Sequence, residues 1–352
     1  MQKPFIIAGV AGLTVMGLLS LIVPEALGAS FIVFVLGLLF IALFRSHTTD
    51  PNFVTRVFLI SLGLRLLFGV MVYALDLREF FGGDANTYHY RGITLLEYWA
   101  GSLPADSVEL LRATSMAGPG WGMTYLTGSI YFIFGENFLA AQSFCAVVGA
   151  ATAPLAYTCA ERIFSNNRVA RLSAIAVAVF PSFIIWSGQL MKDGLIIFLL
   201  VLSMVMVYSL QERFSYLAVI ILVLALGGII TLRFYIFYMV AVAVAGSFII
   251  GVSTSNASLF RRATALVLMG VALTYLGVIR TASSDFERFG NLNQLQASRS
   301  DLARSADSGF GEDIDVSTTS GAITTIPMGF LFLMLAPFPW TMTNLRQAIT
   351  LP

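Results

Sequence analysis

Apolar runs of about twenty residues recur along this 352-residue chain, and nothing else constrains its folding as strongly. A helix built from such a run crosses the roughly 30 Å hydrocarbon core of a bilayer. Strands of a membrane barrel alternate apolar and polar residues, so they leave no uninterrupted runs of this kind. Charged residues make up 11% of the chain, against about a quarter in soluble domains. The expected fold is all-α: a polytopic membrane protein with the lipid bilayer as its first partner.

About ten spans are predicted, at 5–23, 26–44, 54–75, 138–160, 169–187, 194–210, 215–232, 235–252, 263–279 and 323–340. The first, following Lys3, lacks a small-residue cleavage site and is read as a retained span and not a removed leader. The segment 122–134 is apolar but too short to cross, and the distribution of charge agrees. With 122–134 left on the surface, one side receives Lys3, Arg45, Arg56, Arg162, Arg168, Arg171, Arg213, Arg261, Arg262 and Arg346. The only acids there are Asp50, Glu161 and Glu212. A basic excess marks the cytoplasmic side, so both termini are expected there, and the polar stretches 76–121 and 280–322 face outward.

Five regions result: three N-terminal spans (1–75), an outer loop with amphipathic interfacial helices (76–137), a transmembrane core (138–279), an outer polar loop (280–322), and a last span with a cytoplasmic tail (323–352). Pro104 breaks the amphipathic segment 93–115, whose Tyr98 and Trp99 suit the headgroup layer. One helix near 285–306 is expected in the second loop. The net charge of +1 says nothing about partners, but its distribution does: there is no basic stripe or polybasic tail for nucleic acid, which is not expected as a partner. Cys145 and Cys159 share one apolar helix and are read as packing residues.

The most informative polar stretch runs Phe80-Phe81-Gly82-Gly83-Asp84-Ala85-Asn86-Thr87-Tyr88-His89-Tyr90-Arg91. Asp84 opens a helical run at the outer end of a span, where a carboxylate serves either as a general base or as a helix cap. Tyr88 and Arg91, four and seven positions on, share its helix face and can orient it or an anionic ligand. His89 points elsewhere and reads as an interfacial histidine.

Arg233, with Tyr235 beside it, sits at a near-loopless outer junction of two spans. A cation so close to hydrocarbon needs a partner, or an anion to bind, and guanidinium matches phosphate oxygens; snorkelling is the plainer role. Lys192 and Asp193 form a third polar point, either lining the same pocket or pairing locally. Arg65, inside the third span, requires a partner or a cavity. The acidic run Gly311–Asp315 reads as a solvated loop and not a metal site.

These residues together resemble the polytopic GT-C glycosyltransferases that use polyprenyl-phosphate sugars, such as the protein O-mannosyltransferases and the aminoarabinose transferases. The resemblance covers roughly 70–250. It rests on Asp84 and Tyr88 as an Asp-x-x-x-Tyr, on Gly118-Pro119-Gly120-Trp121, on an interfacial helix ending Phe134-Gly135, and on a span closing Ala160-Glu161-Arg162-Ile163-Phe164. It implies sugar transfer on the outer face of the membrane, and the strong charge bias points to a bacterial inner membrane as its location. Asp84 is then the base, Arg233 and Lys192 hold the phosphate of the lipid-linked donor, and Tyr88, Arg91, Asp193 and Tyr235 line the site. The acceptor is a glycan, lipid or protein of the envelope. No metal is obligatory in that scheme, and a divalent metal is compatible with it.

Departures from the pattern are two extra spans before the expected first one and a single Asp84 in place of an acidic pair. Competing readings are a polysaccharide polymerase or ligase of the Wzy or EpsG kind, working through Arg280, Arg288, Arg299 and Arg304, and a non-enzymatic lipid-linked sugar transporter or scaffold.

Overall fold

The computed structural model describes residues 23–81, 83–115, 120–250, 256–275, 291–305, 314–335 and 338. It forms two compact units, Met1–Leu268 and Met269–Pro352. The described residues contain helices and no strands. The span expected at 5–23 lies outside them, as do Arg280, Arg288 and most of the acidic run 311–315.

The first unit opens with the antiparallel pair α1 (Glu25–Ser46) and α2 (Pro51–Ala74). Asp50 caps α2 by accepting from the Phe53 amide, and Pro51 follows at a first-turn position where its missing N–H costs nothing. Then come the short α3 (Arg78–Phe81), α4 (Asp84–Trp99), α5 (Val108–Thr114) and α6 (Trp121–Phe134). At 14 residues α6 is about 21 Å long, which falls short of a bilayer core; it packs on α4 and not as a separate span.

The centre of the bundle is α7 (Phe138–Phe164), which packs against α1, α2, α8 and α10. Most of its inner faces carry Ala, Gly, Ser and Cys. Small side chains let neighbouring helices approach closely where lipid gives no hydrophobic drive to association. Cys145 and Cys159 are buried and unpaired within it. Outer faces are apolar instead: Leu27, Phe31, Leu39, Ile60 and Leu67 are exposed, as lipid-facing positions should be.

The run 169–187 is not one straight span. It breaks into α8 (Asn167–Val179) and α9 (Pro181–Ser187), bent by 56°. Pro181 lacks an amide hydrogen and pushes Phe180 out of the helical region, to φ −62°, ψ 115°. The break leaves carbonyls without helical partners, and Arg65 answers them. Fully buried, it donates from Nη1 to Ala178 O at 3.2 Å and from Nη2 to Val177 O at 3.3 Å. Its Nε donates to Ser187 Oγ at 2.8 Å, and Nη1 also reaches the Ser61 carbonyl and hydroxyl. The intramembrane cation thus ties the bent pair to α2.

The unit continues through α10 (Asp193–Glu212), α11 (Tyr216–Leu232), α12 (Phe234–Ile250) and most of α13 (Asn256–Tyr275). Among the described residues, four helices are long and apolar enough to cross a membrane, five if the bent pair counts as one, while α11 and α12 are apolar but shorter. At the end of the bundle away from Asp84, Arg171 pairs with Asp50 and Thr49 donates to Glu161.

The second unit contains α14 (Leu292–Ser305) and α15 (Thr319–Leu335). Within it Arg299 donates to the Ile314 carbonyl at 2.6 Å, and Gln296 accepts from the Val316 amide at 2.8 Å.

Candidate active site

Three chain breaks meet at one end of the first unit: the start of α4, the tight turn between α9 and α10, and the α11–α12 junction. Asp84 is the first residue of α4, with Gly83 in the cap position. Its carboxylate makes no capping hydrogen bond; it faces the Lys192 ammonium at 3.7 Å. Of the two roles left open for this residue, the cap is therefore not the one its geometry serves.

Lys192 precedes α10 and is only 7% exposed. Its Nζ donates to the Tyr88 hydroxyl oxygen at 2.7 Å and lies 5.4 Å from the centre of that ring. Tyr88 is one helical turn beyond Asp84, so the i, i+4 spacing on α4 sets both groups against one ammonium. At the next corner Asp193 pairs with Arg233 at 3.0 Å. Arg233 ends α11 in an extended conformation, with its amide still donating to Ile229 O. Asp84, Tyr88, Lys192, Asp193 and Arg233, five of the residues singled out in the sequence, thus form one polar cluster.

Arg91 is half-buried close by, near enough for its charge to bear on the Tyr88 hydroxyl. Tyr235 is not drawn in: it is 47% exposed, with its ring edge-on to Phe234.

Burial pushes the Tyr88 hydroxyl well above its usual range, and the carboxylates of Asp84 and Asp193 add to the effect. It stays protonated, and since its oxygen already accepts from Lys192, its own hydrogen is left to donate. Burial also lowers the Lys192 pKa, with Asp84 opposing the shift and Arg233 reinforcing it. Two cations and two carboxylates facing one another make a site whose charges are matched at rest. An entering phosphate can exchange one anionic partner for another without stripping a bare cation from water.

Gly120 closes the cluster. It caps α6 at φ +78°, a left-handed conformation that favours glycine. A Cβ there would stand 3.1 Å from the Tyr88 hydroxyl and 3.4 Å from Lys192 Nζ. At Gly122 a Cβ would meet Thr231 Oγ1 at 2.3 Å, so α6 rides directly on the end of α11. Sequence reading gave neither glycine a role in the site, although a Gly-Pro-Gly before an aromatic residue was a visible signal of close approach.

Residues 120–279 match the family model described as dolichyl-phosphate-mannose-protein mannosyltransferase. That family is of the GT-C type, and with its apolar helices the chain is a membrane glycosyltransferase of this type. The match begins at Gly120 and takes in Lys192, Asp193 and Arg233. The Asp84–Arg91 segment precedes it and joins the polar cluster through the fold alone. No curated protein and no solved structure matches the chain.

Proposed function

We propose that the protein transfers a sugar from a polyprenyl-phosphate donor to a hydroxyl of an envelope glycan, lipid or protein, on the outer face of a bacterial inner membrane. The family match supports a donor of this class, and the basic excess on the opposite loops supports the sidedness. The observation that carries the reading is the Lys192 ammonium set between the Asp84 carboxylate and the Tyr88 hydroxyl.

Lys192 and Arg233 hold the donor phosphate. Engaging it draws Lys192 away from Asp84 and leaves that carboxylate, 62% exposed at its side chain, free to accept a proton. Asp84 takes the proton of the acceptor hydroxyl as its oxygen attacks the anomeric carbon. The new C–O bond forms while the bond from that carbon to the phosphate oxygen breaks, and the phosphate leaves with the electron pair. Lys192, Arg233 and the Tyr88 hydroxyl stabilise the charge that gathers on it, a contribution concentrated in the transition state. A divalent metal remains compatible with this scheme and is not required by it.

The test is consumption of extracted polyprenyl-linked sugar by purified protein in nanodiscs, comparing wild type with Asp84→Asn. Turnover lost in the variant, with donor binding kept, supports the reading. Turnover that survives the substitution rejects Asp84 as the base.

A further inference from the structure

Ser187, the last residue of α9, is fully buried. Its hydroxyl oxygen accepts from Arg65 Nε at 2.8 Å, and its hydrogen goes to the Phe183 carbonyl. The other Arg65 nitrogens are held by Ser61, Val177 and Ala178. The guanidinium is therefore a fixed point on α2, and Ser187 is tied to it.

The backbone around Ser187 fits as closely. A Cβ added to Gly149 of α7 would stand 2.5 Å from the Ser187 Cβ, and so would one added to Gly194 in the first turn of α10. Ser187 thus fills a notch between those two helices, with no room for a larger neighbour. The next residue rests on α2 as well. A Cβ at Gly69 would meet the Gly188 carbonyl oxygen at 2.3 Å, and one at Gly188 would meet the Arg65 carbonyl oxygen at 2.9 Å.

Residues 188–191 carry the chain from this notch to Lys192, which takes the cap position of α10. Their hydrogen bonds run back to α9 and among themselves. The Gly188 amide donates to Ile184 O at 2.8 Å and the Met191 amide to Gln189 O at 2.8 Å. Gln189 Nε2 donates to Ile185 O at 2.9 Å, and Leu190 and Met191 are buried. A turn bonded in this way moves with the end of α9, so whatever fixes Ser187 also fixes where Lys192 begins.

We infer that Ser187, anchored by Arg65, is a positioning residue: it holds the turn so that the Lys192 ammonium stands between Asp84 and Tyr88. The geometric part is independent of the transferase reading, and only its kinetic consequence rests on that reading. Ser187→Ala keeps the Cβ in its notch and removes the hydroxyl. Arg65 Nε then loses its acceptor, the turn loosens, and Lys192 moves away from Asp84, Tyr88, Asp193 and Arg233 toward solvent.

Lys3 is the one other lysine in the chain, which gives a direct test. In full-length protein in nanodiscs, carrying isotope-labelled lysine and Lys3→Arg, a single side-chain NMR signal reports Lys192 with no substrate present. That signal is displaced by the Tyr88 ring, whose centre lies 5.4 Å from Nζ, and it titrates below the ordinary 10.5. Ser187→Ala should move the signal toward that of free lysine and its titration up toward 10.5. Ser187→Cys, whose sulfur accepts only weakly, should move both less. Ser203→Ala is the control: Ser203 is also buried and donates to Leu199 O at 2.8 Å within α10. It should lower the melting temperature without moving the Lys192 signal. A signal and titration left in place by Ser187→Ala, or moved equally by Ser203→Ala, overturns the inference. In turnover of the lipid-linked donor, Ser187→Ala should lower kcat/KM about tenfold. A displaced signal with unchanged kcat/KM upholds the positioning and rejects Lys192 as the holder of the phosphate.

Discussion

Lys192 and Tyr88 lie 104 positions apart in the chain, yet the ammonium donates to the phenolic oxygen at 2.7 Å, inside the protein. The bond fixes a flexible lysine chain in one place, with its charge aimed at Asp84. A charge-assisted hydrogen bond of this kind contributes about 1.5–3 kcal/mol. Tyr88→Phe keeps the ring and removes the bond. The expected result is a roughly tenfold or greater loss of kcat/KM for the lipid-linked donor, carried by both constants, because Lys192 is then neither anchored nor aimed. Steady-state kinetics in nanodiscs measures it; unchanged kinetics would show that Lys192 needs no anchor.

Gly120 is held at φ +78°, with the Tyr88 hydroxyl and Lys192 Nζ close to where a Cβ would project. Gly120→Ala costs about 1–2 kcal/mol for the left-handed backbone and presses on the cluster itself. Turnover should fall by about tenfold or more, with the melting temperature only slightly lowered. Gly246→Ala serves as the control, since its Cβ would meet nothing within 4 Å.

Lys192 also sets an alkaline limit. Its pKa is held below the ordinary 10.5 by burial, against the pull of Asp84. As pH rises through that lowered value the ammonium is lost, and the KM for the phosphate donor should climb. Stability runs the other way. Between the lowered value and 10.5 the unfolded chain binds more protons than the folded one, so the fold gains stability with rising pH. Lys192→Arg, which keeps its charge, should move the KM limb to higher pH. An alkaline limb left in place by that variant would assign it to another group.

Arg65 holds the bent pair α8–α9 through the Val177 and Ala178 carbonyls and the Ser187 hydroxyl. Arg65→Met fills the space and leaves those groups buried without a donor. A loss of about 3 kcal/mol or more is expected, read as a lower denaturation midpoint in nanodiscs. Arg65→Lys should recover only part of it, because an ammonium cannot span acceptors that a planar guanidinium reaches at once.

Much of the helical plan could be read from local chemistry. The apolar runs at 215–232 and 235–252 correspond closely to α11 and α12, and the shortness of 122–134 agrees with α6, which packs on α4. The single span expected at 169–187 is instead broken, a feature the Pro181 signal contained but the hydropathy of the run concealed. A helix expected at 285–306 is described from Leu292, with residues 276–290 outside the described set.

By itself the sequence determined which residues had to explain themselves. A charge beside hydrocarbon is costly wherever it sits, so Asp84, Lys192, Asp193, Arg233 and Arg65 stand out in a chain with 11% charged residues. Tertiary structure alone decided which of them meet. Asp84 finds Lys192 across the bundle, Arg233 finds Asp193 across a helix junction, and Arg65 finds carbonyls that only a bent span exposes. His89 and the carboxylates Glu25, Asp76 and Glu136, which border one cavity, come from four separate stretches of chain. Hydropathy and periodicity report the environment of each residue along its own helix. The partners are set by how the helices pack, and no local pattern encodes that.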